Sequence, residues 1–317
     1  MRKQFILWMI LLLTALLPSE FVLADDASAV AQSPSQWQSN AGTNPPRGTL
    51  YQVRHQGHTS YLFGTIHVGK AEFFPLEPLA TQGLADANVV AIEVDMRDTA
   101  ALQNAMLKYG MYANSDTVEK HLSAASLQRL KAALGNLGLP YDGISHFKAW
   151  MIANLITIAS VEKQGYHTTQ SSESFLLDTA KAQGKGVAGL ESAAFQLSLF
   201  DKLTEKQQEG YLIESLNDLE SGDTAKKTQD LLDAWSRADE TAFDGLLQEA
   251  KDDKTVSGQF VYREILTKRN PMMASKIATL MKENKSSFVG VGLLHLIGPG
   301  GVPQLLKKKG YEVTRLY

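Results

Sequence analysis

From Leu50 onward the hydrophobic positions switch between two periods. Alternation over Leu50-Tyr51-Gln52-Val53-Arg54-His55 and over Ser60-Tyr61-Leu62-Phe63 predicts two strands joined through Gln56-Gly57. A short helix is expected over residues 79–87. The run Asn88-Val89-Val90-Ala91-Ile92-Glu93-Val94 then predicts a buried strand interrupted by one carboxylate. Beyond Thr99 the period becomes helical over residues 101–109, 123–137, 144–162 and 172–183. The third of these is free of charge from Ala149 to Val161, which is too short to cross a bilayer and predicts a core helix.

Gly186-Val187-Ala188-Gly189-Leu190-Glu191 predicts a short strand ending in an acid. Helical periodicity resumes over 193–200, 205–219, 225–237 and 240–248. Charges of both signs alternate there, which predicts a solvated helical layer or lid with no chemistry of its own. After a segment over 256–267, Pro271 is expected to open a helix reaching about Glu283, with Asn270 as its N-cap. A strand over 287–291, the loop Gly298-Pro299-Gly300-Gly301, a helix over 302–309 and a strand over 311–316 close the chain. The glycine loop lacks the lysine and hydroxyl residue of a phosphate loop and reads as a turn. The fold class is α/β: a single domain over residues 48–317, with a mixed central sheet, flanking helices and a long helical insertion.

Composition adds exclusions. At 317 residues, 44% hydrophobic and 21% charged, the chain is ordinary globular material with ample length for a core. A formal net charge of −3 gives no basic footprint for nucleic acid. Without cysteine there is no disulfide, no thiolate metal site and no thiol nucleophile, so any metal must take imidazole and carboxylate ligands. Ahead of the domain, Arg2 and Lys3, an apolar run over residues 5–17 broken by Thr14, and Val22-Leu23-Ala24 predict a cleaved export signal over residues 1–24. Residues 25–47, rich in Ser, Gln, Asn, Ala and Pro, read as a flexible linker. The expected location is the periplasm or the exterior, with no membrane contact once the signal is removed.

Four polar residues stand at or just beyond the ends of apolar strands: His67, Glu93, Glu191 and His295. The histidines share a frame, each three residues past a glycine, in Gly64-Thr65-Ile66-His67 and Gly292-Leu293-Leu294-His295. They lie 228 positions apart (295 minus 67), so only folding brings them together. In open α/β sheets the carboxyl edge is where ligands bind. Two imidazoles with one or two carboxylates suit a divalent metal, and equally suit metal-free acid/base chemistry. Glu93 is the most telling, because a carboxylate in an apolar strand is costly unless it is partnered. Glu191 also fits a capping role at the helix that follows it. Arg269 fits an oxyanion or carboxylate clamp, or a plain ion pair. His55, His58, His121, His146 and His167 read as surface or core residues.

Gly64-Thr65-Ile66-His67, Ala91-Ile92-Glu93, Gly189-Leu190-Glu191, Arg269-Asn270, Val291-Gly292-Leu293-Leu294-His295-Leu296 and Gly310-Tyr311-Glu312-Val313 occur in the order found in the TraB/PrgY/GumN family. The chain resembles its bacterial GumN-type members from about Leu50 to Tyr317. That family includes the Tiki metal-dependent proteases, and its fold is similar to that of the erythromycin-esterase and ChaN-like proteins. The resemblance implies a mixed sheet with both glycine–histidine motifs in one cleft. His67 and His295 match the family's histidines, Glu93 and Glu191 its acidic positions, and Arg269 its arginine. Where many bacterial members have Gly-Ile-Asp, this chain has Ser171-Ser172-Glu173-Ser174, with Glu173 standing in for the aspartate.

These readings converge on a periplasmic metal-dependent hydrolase acting on peptides or small molecules, a peptidase first. His67, Glu93 and His295 would hold a divalent Mn²⁺, Co²⁺ or Zn²⁺ ion, with Glu191 moving protons and Arg269 stabilising the developing oxyanion. The competing expectation is a non-catalytic module that captures a peptide or signal molecule in the same cleft.

Overall fold

Among the described residues the sheet has six strands: β1 (Leu50–His55), β2 (His58–Thr65), β3 (Val89–Ile92), β4 (Gly186–Gly189), β5 (Ser286–Gly292) and β6 (Glu312–Arg315), in the order β4-β3-β5-β2-β1-β6. The computed structural model describes residues 44–317. The expected export signal and residues 25–43 of the expected linker lie outside the described residues. Residues 44–47, the end of that linker, are bonded to the domain. Asn44 Nδ2 donates to the Pro75 carbonyl at 2.6 Å and Arg47 Nη1 to that of Phe73 at 2.9 Å.

β2, β3, β4 and β5 are parallel, and β1 is antiparallel to both β2 and β6. The strands other than β1 therefore all end at one edge of the sheet. Alternation sorts the side chains between two cores. Leu62, Val89, Ala91, Val289 and Val291 pack with Met273, Ile277 and Leu306 of α12 (Arg269–Glu283) and α13 (Val302–Lys308). Phe63, Val90 and Phe288 face the larger cluster on the other side.

That second face is covered by α1 (Pro78–Asp86) and α6 (Ser172–Ala182), and beyond them by the helical section. This comprises α2 (Thr99–Ala105), α3 (Ala124–Leu137), α4 (Tyr141–Ile144), α5 (Ala149–Glu162), α7 (Ala193–Asp201), α8 (Glu205–Ser221), α9 (Asp223–Ser236), α10 (Glu240–Asp252) and α11 (Val256–Phe260). The uncharged α5 is indeed central: Trp150, Met151, Ile152 and Ala153 are fully buried, and its Asn154 accepts from the Tyr211 hydroxyl at 2.8 Å. The helix expected over 144–162 is split. Phe147 bridges to Met111 and the Lys148 N–H bonds the Gly110 carbonyl, so the chain is extended there and α5 starts at Ala149.

Two expectations need correction. The charged helices form a packed layer and not a lid, because their apolar positions recur at helical spacing and bury, and Glu214 and Asp218 of α8 bury with them, Glu214 accepting from the Val256 and Ser257 N–H groups. Trp235 of α9 is fully buried, donates its indole N–H to the Gly64 carbonyl at 2.9 Å, and lies against Phe63 and Phe73. Pro271 also does not open its helix. A π-helix over Val261–Thr267 follows α11, and α12 begins at Arg269, with no side-chain cap at its start.

Candidate active site

The carboxyl edge of the sheet gathers the expected residues. His67 lies just past β2, Glu93 just past β3, Glu191 just past β4 and His295 just past β5, while Arg269 enters from the first turn of α12. Glu93 thus stands at the mouth of its strand and not within it, since β3 ends at Ile92.

Arg269 is the hinge of the cluster, with its side chain 1% exposed. Its Nη2 lies 2.6 Å from Glu93 Oε2 and 2.6 Å from Glu191 Oε2, and its Nε reaches both Glu191 oxygens at 3.1 and 3.0 Å. Gln196 of α7 binds the same two acids, donating to Glu93 Oε2 at 3.1 Å and Glu191 Oε2 at 2.7 Å. Glu93 Oε1 accepts from the Gly292 N–H at 2.7 Å. Burial pushes the Glu93 carboxyl up, but Arg269, His295, His67 and the Gly292 N–H outweigh it and hold the group down at about 2. Glu191 is therefore no helix cap; that task falls to Ser192, whose side chain accepts from the Phe195 N–H.

The histidines are each fixed through Nδ1. Asn270 donates its Nδ2 to the Gly300 carbonyl at 2.9 Å, which turns its Oδ1 towards His295 Nδ1 at 2.6 Å. A carbonyl can only accept, so the amide orientation is set, Nδ1 carries the proton, and His295 Nε2 is left with a lone pair. Burial pulls the His295 pKa down to about 3 against the pull of Glu93, so the ring is neutral. Its Nε2 then faces Glu93 Oε1 at 3.6 Å, two acceptors with no proton between them. Asn270 is not the N-cap it resembles in sequence, and the glycine loop, besides turning the chain, supplies the carbonyl that orients it.

His67 has a charged partner. Its Nδ1 lies 2.7 Å from Glu173 Oε1, at the start of α6. Ser172 clamps this turn in place, its hydroxyl donating to the Ile66 carbonyl at 2.9 Å and accepting from the Ile66 N–H at 2.6 Å. Burial lowers the His67 pKa, but Glu173 and Glu93 prevail and raise it; Glu173, raised by burial, is brought below the usual range by His67 and Thr65. Neither Glu173 oxygen receives a well-aligned hydrogen bond. The side chains of His67 and Glu173 are 18% and 16% exposed, against 4% for Glu191, so solvent reaches the site from their side.

Among the described residues no three His, Asp or Glu side chains stand as a ready-formed metal cage. The donor chemistry nevertheless fits one. A Cβ on Gly292 would lie 3.2 Å from Glu93 Oε1, 3.6 Å from His67 Nε2 and 3.6 Å from His295 Cδ2, so these groups border one space that the glycine leaves open. Both imidazoles have Nδ1 engaged by an oxygen acceptor, the arrangement that orients metal-ligating histidines. Two imidazoles and a carboxylate suit Mn²⁺, Co²⁺ or Zn²⁺.

Sequence reasoning missed Gln196 and misread Asn270. Gln196 carried a signal, as a polar residue among Ala193, Leu197, Leu199 and Phe200 on a largely apolar helix. Asn270 carried none that distinguishes it from a cap.

Comparison with known proteins follows the same lines. The sequence profile of the TraB/PrgY/gumN family matches residues 49–315. The chain is 25% identical to "Uncharacterized protein YbaP" of Shigella flexneri over 82% of its length and 90% of the relative's. It is 24% identical to "Metalloprotease TIKI2" of Xenopus tropicalis over 83% of its length, spanning only 59% of that protein. A "Metalloprotease TIKI homolog" of Amphimedon queenslandica matches at 23%, again over 59% of its length. No solved structure matches the chain.

Proposed function

Because the chain belongs to the TraB/PrgY/gumN family, we propose that it is a metal-dependent hydrolase, a peptidase first, with the divalent ion held by His67, His295 and Glu93. The observation that carries this reading is His295 Nε2 facing Glu93 Oε1 across 3.6 Å while Asn270 Oδ1 engages Nδ1 of the same ring. Two acceptors so close in a buried site call for a cation or a donor between them. The distant likeness to Tiki metalloproteases supports the same class.

When bound, the ion would supply Lewis-acid activation of water and of a scissile carbonyl. The chain's own groups do the rest. Asn270 and Glu173 hold the imidazoles with Nε2 turned inward. Arg269 and Gln196 hold Glu93 and keep it ionised. In this reading Arg269 is a positioning residue, because its Nε and Nη2 are bonded to two carboxylates. Glu191 is likewise saturated by Arg269 and Gln196. Glu173, whose buried Oε1 lies 2.7 Å from His67 Nδ1, serves in this reading to orient that imidazole. Action outside the cytoplasm belongs to the same reading and rests on the N-terminal sequence pattern.

Metal titration of chelated protein, followed by mass spectrometry of a peptide library, tests the proposal. Wild type is expected to bind one divalent ion and cleave, with both lost in His67→Ala and His295→Ala. Tight metal binding with every peptide intact would support the non-catalytic module instead. Absence of any Mn²⁺, Co²⁺ or Zn²⁺ binding would overturn the metal assignment.

A further inference from the structure

The edge of the sheet opposite the candidate site has a different character. β5 and β6 begin there and α12 and α13 end there, so Lys282, Lys285, Lys307, Lys308 and Lys309 meet along it, joined by Arg54 at the end of β1. All six are exposed, with Glu283 and Glu312 interspersed among them and Asp86 beside Ser286 at the same edge. Among the described residues none of the five lysines pairs with a carboxylate. This happens in a chain of net charge −3 whose other edge gathers Glu93, Glu173 and Glu191. Lysines in the last turns of α12 and α13, and Lys309 at the C-cap of α13, complement the helix dipoles, but Lys285 lies beyond α12 and is not explained by it.

We propose that this basic edge docks the domain on an anionic phospholipid surface, with the candidate active site facing away from the lipid. Four adjacent strands span about 15 Å at ~4.8 Å spacing, and the lysines stand within roughly two Debye lengths of one another at physiological salt. They act on a partner as one field. The residues exclude other occupants by what is missing. The exposed large apolar side chains among the described residues are Leu79, Leu107 and Met272. Leu79 and Met272 lie in the first turns of α1 and α12, at the active-site edge, and Leu107 lies in the π-helix over Met106–Gly110. The basic edge thus has no apolar anchor of the kind that dominates protein interfaces. It has no free aromatic face for stacking bases either, since Tyr311 is buried against His55 at 4.2 Å between centroids. Mobile lysine ammoniums, point charges without a fixed fork, suit a plane of headgroups. This electrostatic contact departs from the lack of membrane contact expected from sequence.

The test is sedimentation of the full chain with vesicles of phosphatidylglycerol and phosphatidylethanolamine against vesicles of phosphatidylcholine. The neutral vesicles account for any binding through the N-terminal apolar run. Binding to the anionic vesicles is expected to exceed the neutral by at least about tenfold at low salt and to approach parity near ~0.5 M salt. The set Lys285→Glu, Lys307→Glu, Lys308→Glu and Lys309→Glu is expected to abolish the preference. The charge-matched set Lys202→Glu, Lys206→Glu, Lys251→Glu and Lys254→Glu is expected to retain it. Thermal melting checks both variants, and a Lys→Gln set replaces the edge reversal if that variant is unfolded. Because the chain has no cysteine, an environment-sensitive dye on Lys308→Cys, but not on Lys254→Cys, is expected to report the bilayer. No preference in wild type, equal loss in both variants, or binding of duplex DNA with none of vesicles would overturn the proposal.

Discussion

Replacing Glu93 by glutamine keeps the shape of the side chain and removes its charge, which makes it a sharp probe of the cluster. Both oxygens of Glu93 are acceptors, Oε1 from the Gly292 N–H at 2.7 Å and Oε2 from Arg269 at 2.6 Å and Gln196 at 3.1 Å. Glutamine offers one oxygen and one NH₂, so either orientation sets the NH₂ against a buried donor. Gln196 cannot compensate by flipping, because the same Nε2 serves Glu191 at 2.7 Å. Arg269 keeps its Glu191 partner, so the guanidinium is not stranded. The loss is then a charge-assisted hydrogen bond, about 1.5–3 kcal/mol, plus a pair of opposed donors, about 1–3 kcal/mol, or roughly 2.5–6 kcal/mol in all. Proton linkage points to the same size. A carboxyl lowered from 4.5 to about 2 stabilises the ionised fold by on the order of 3 kcal/mol. Against a typical total of about 5–15 kcal/mol, urea unfolding at neutral pH would register this clearly. A Glu93→Gln variant within ~1 kcal/mol of wild type would refute the reasoning, and with it the view that Arg269 and Glu93 form one buried unit.

Four further outcomes are expected. Gly292→Ala should remain folded, its φ of −48° being open to any residue, yet lose metal affinity by at least about tenfold by calorimetry, because its methyl enters the space bordered by Glu93, His67 and His295. Asn270→Leu should weaken metal binding by roughly 10–100-fold, and imidazole nitrogen shifts should show His295 no longer confined to one tautomer. Glu93 has a lowered pKa, so its stabilisation is present above its unfolded value of about 4.5 and is lost as pH falls towards 2. The gap in unfolding free energy between wild type and Glu93→Gln should narrow across that window. His67 has a raised pKa, so its contribution is present below about 6.5 and is lost as pH rises through its folded value; metal, competing for the same nitrogen, should bind more tightly as that proton leaves.

The strands were legible because alternation and β-branched runs carry their own signature, and the same runs located His67, Glu93, Glu191 and His295 at strand ends. Helix boundaries were less legible where backbone pairing overrode periodicity, as at Phe147 and Met111. Roles proved harder to read than places. Whether Arg269 reaches a substrate or two glutamates is a matter of angstroms across segments 78 and 176 residues apart in sequence. Asn270 illustrates the limit: an asparagine before a proline has the local form of a cap, and only the Gly300 carbonyl, 30 residues away, assigns it to His295. The charged helices misled for a related reason, since alternating charges describe the outward face and say little of Trp235 beneath it.

The pairing of β2 with β5 sets Thr65 beside Gly292, and this fixes when the site comes into being. A chain made from its N-terminus carries His67 and Glu93 long before His295 exists. Until residues 286–295 arrive, β2 and β3 have no strand between them, the Gly292 N–H does not yet hold Glu93, and one imidazole is missing. Long-range parallel pairing of this kind is slow and late. Whatever chemistry the cluster performs is therefore withheld from the growing chain, and its onset coincides with closure of the sheet.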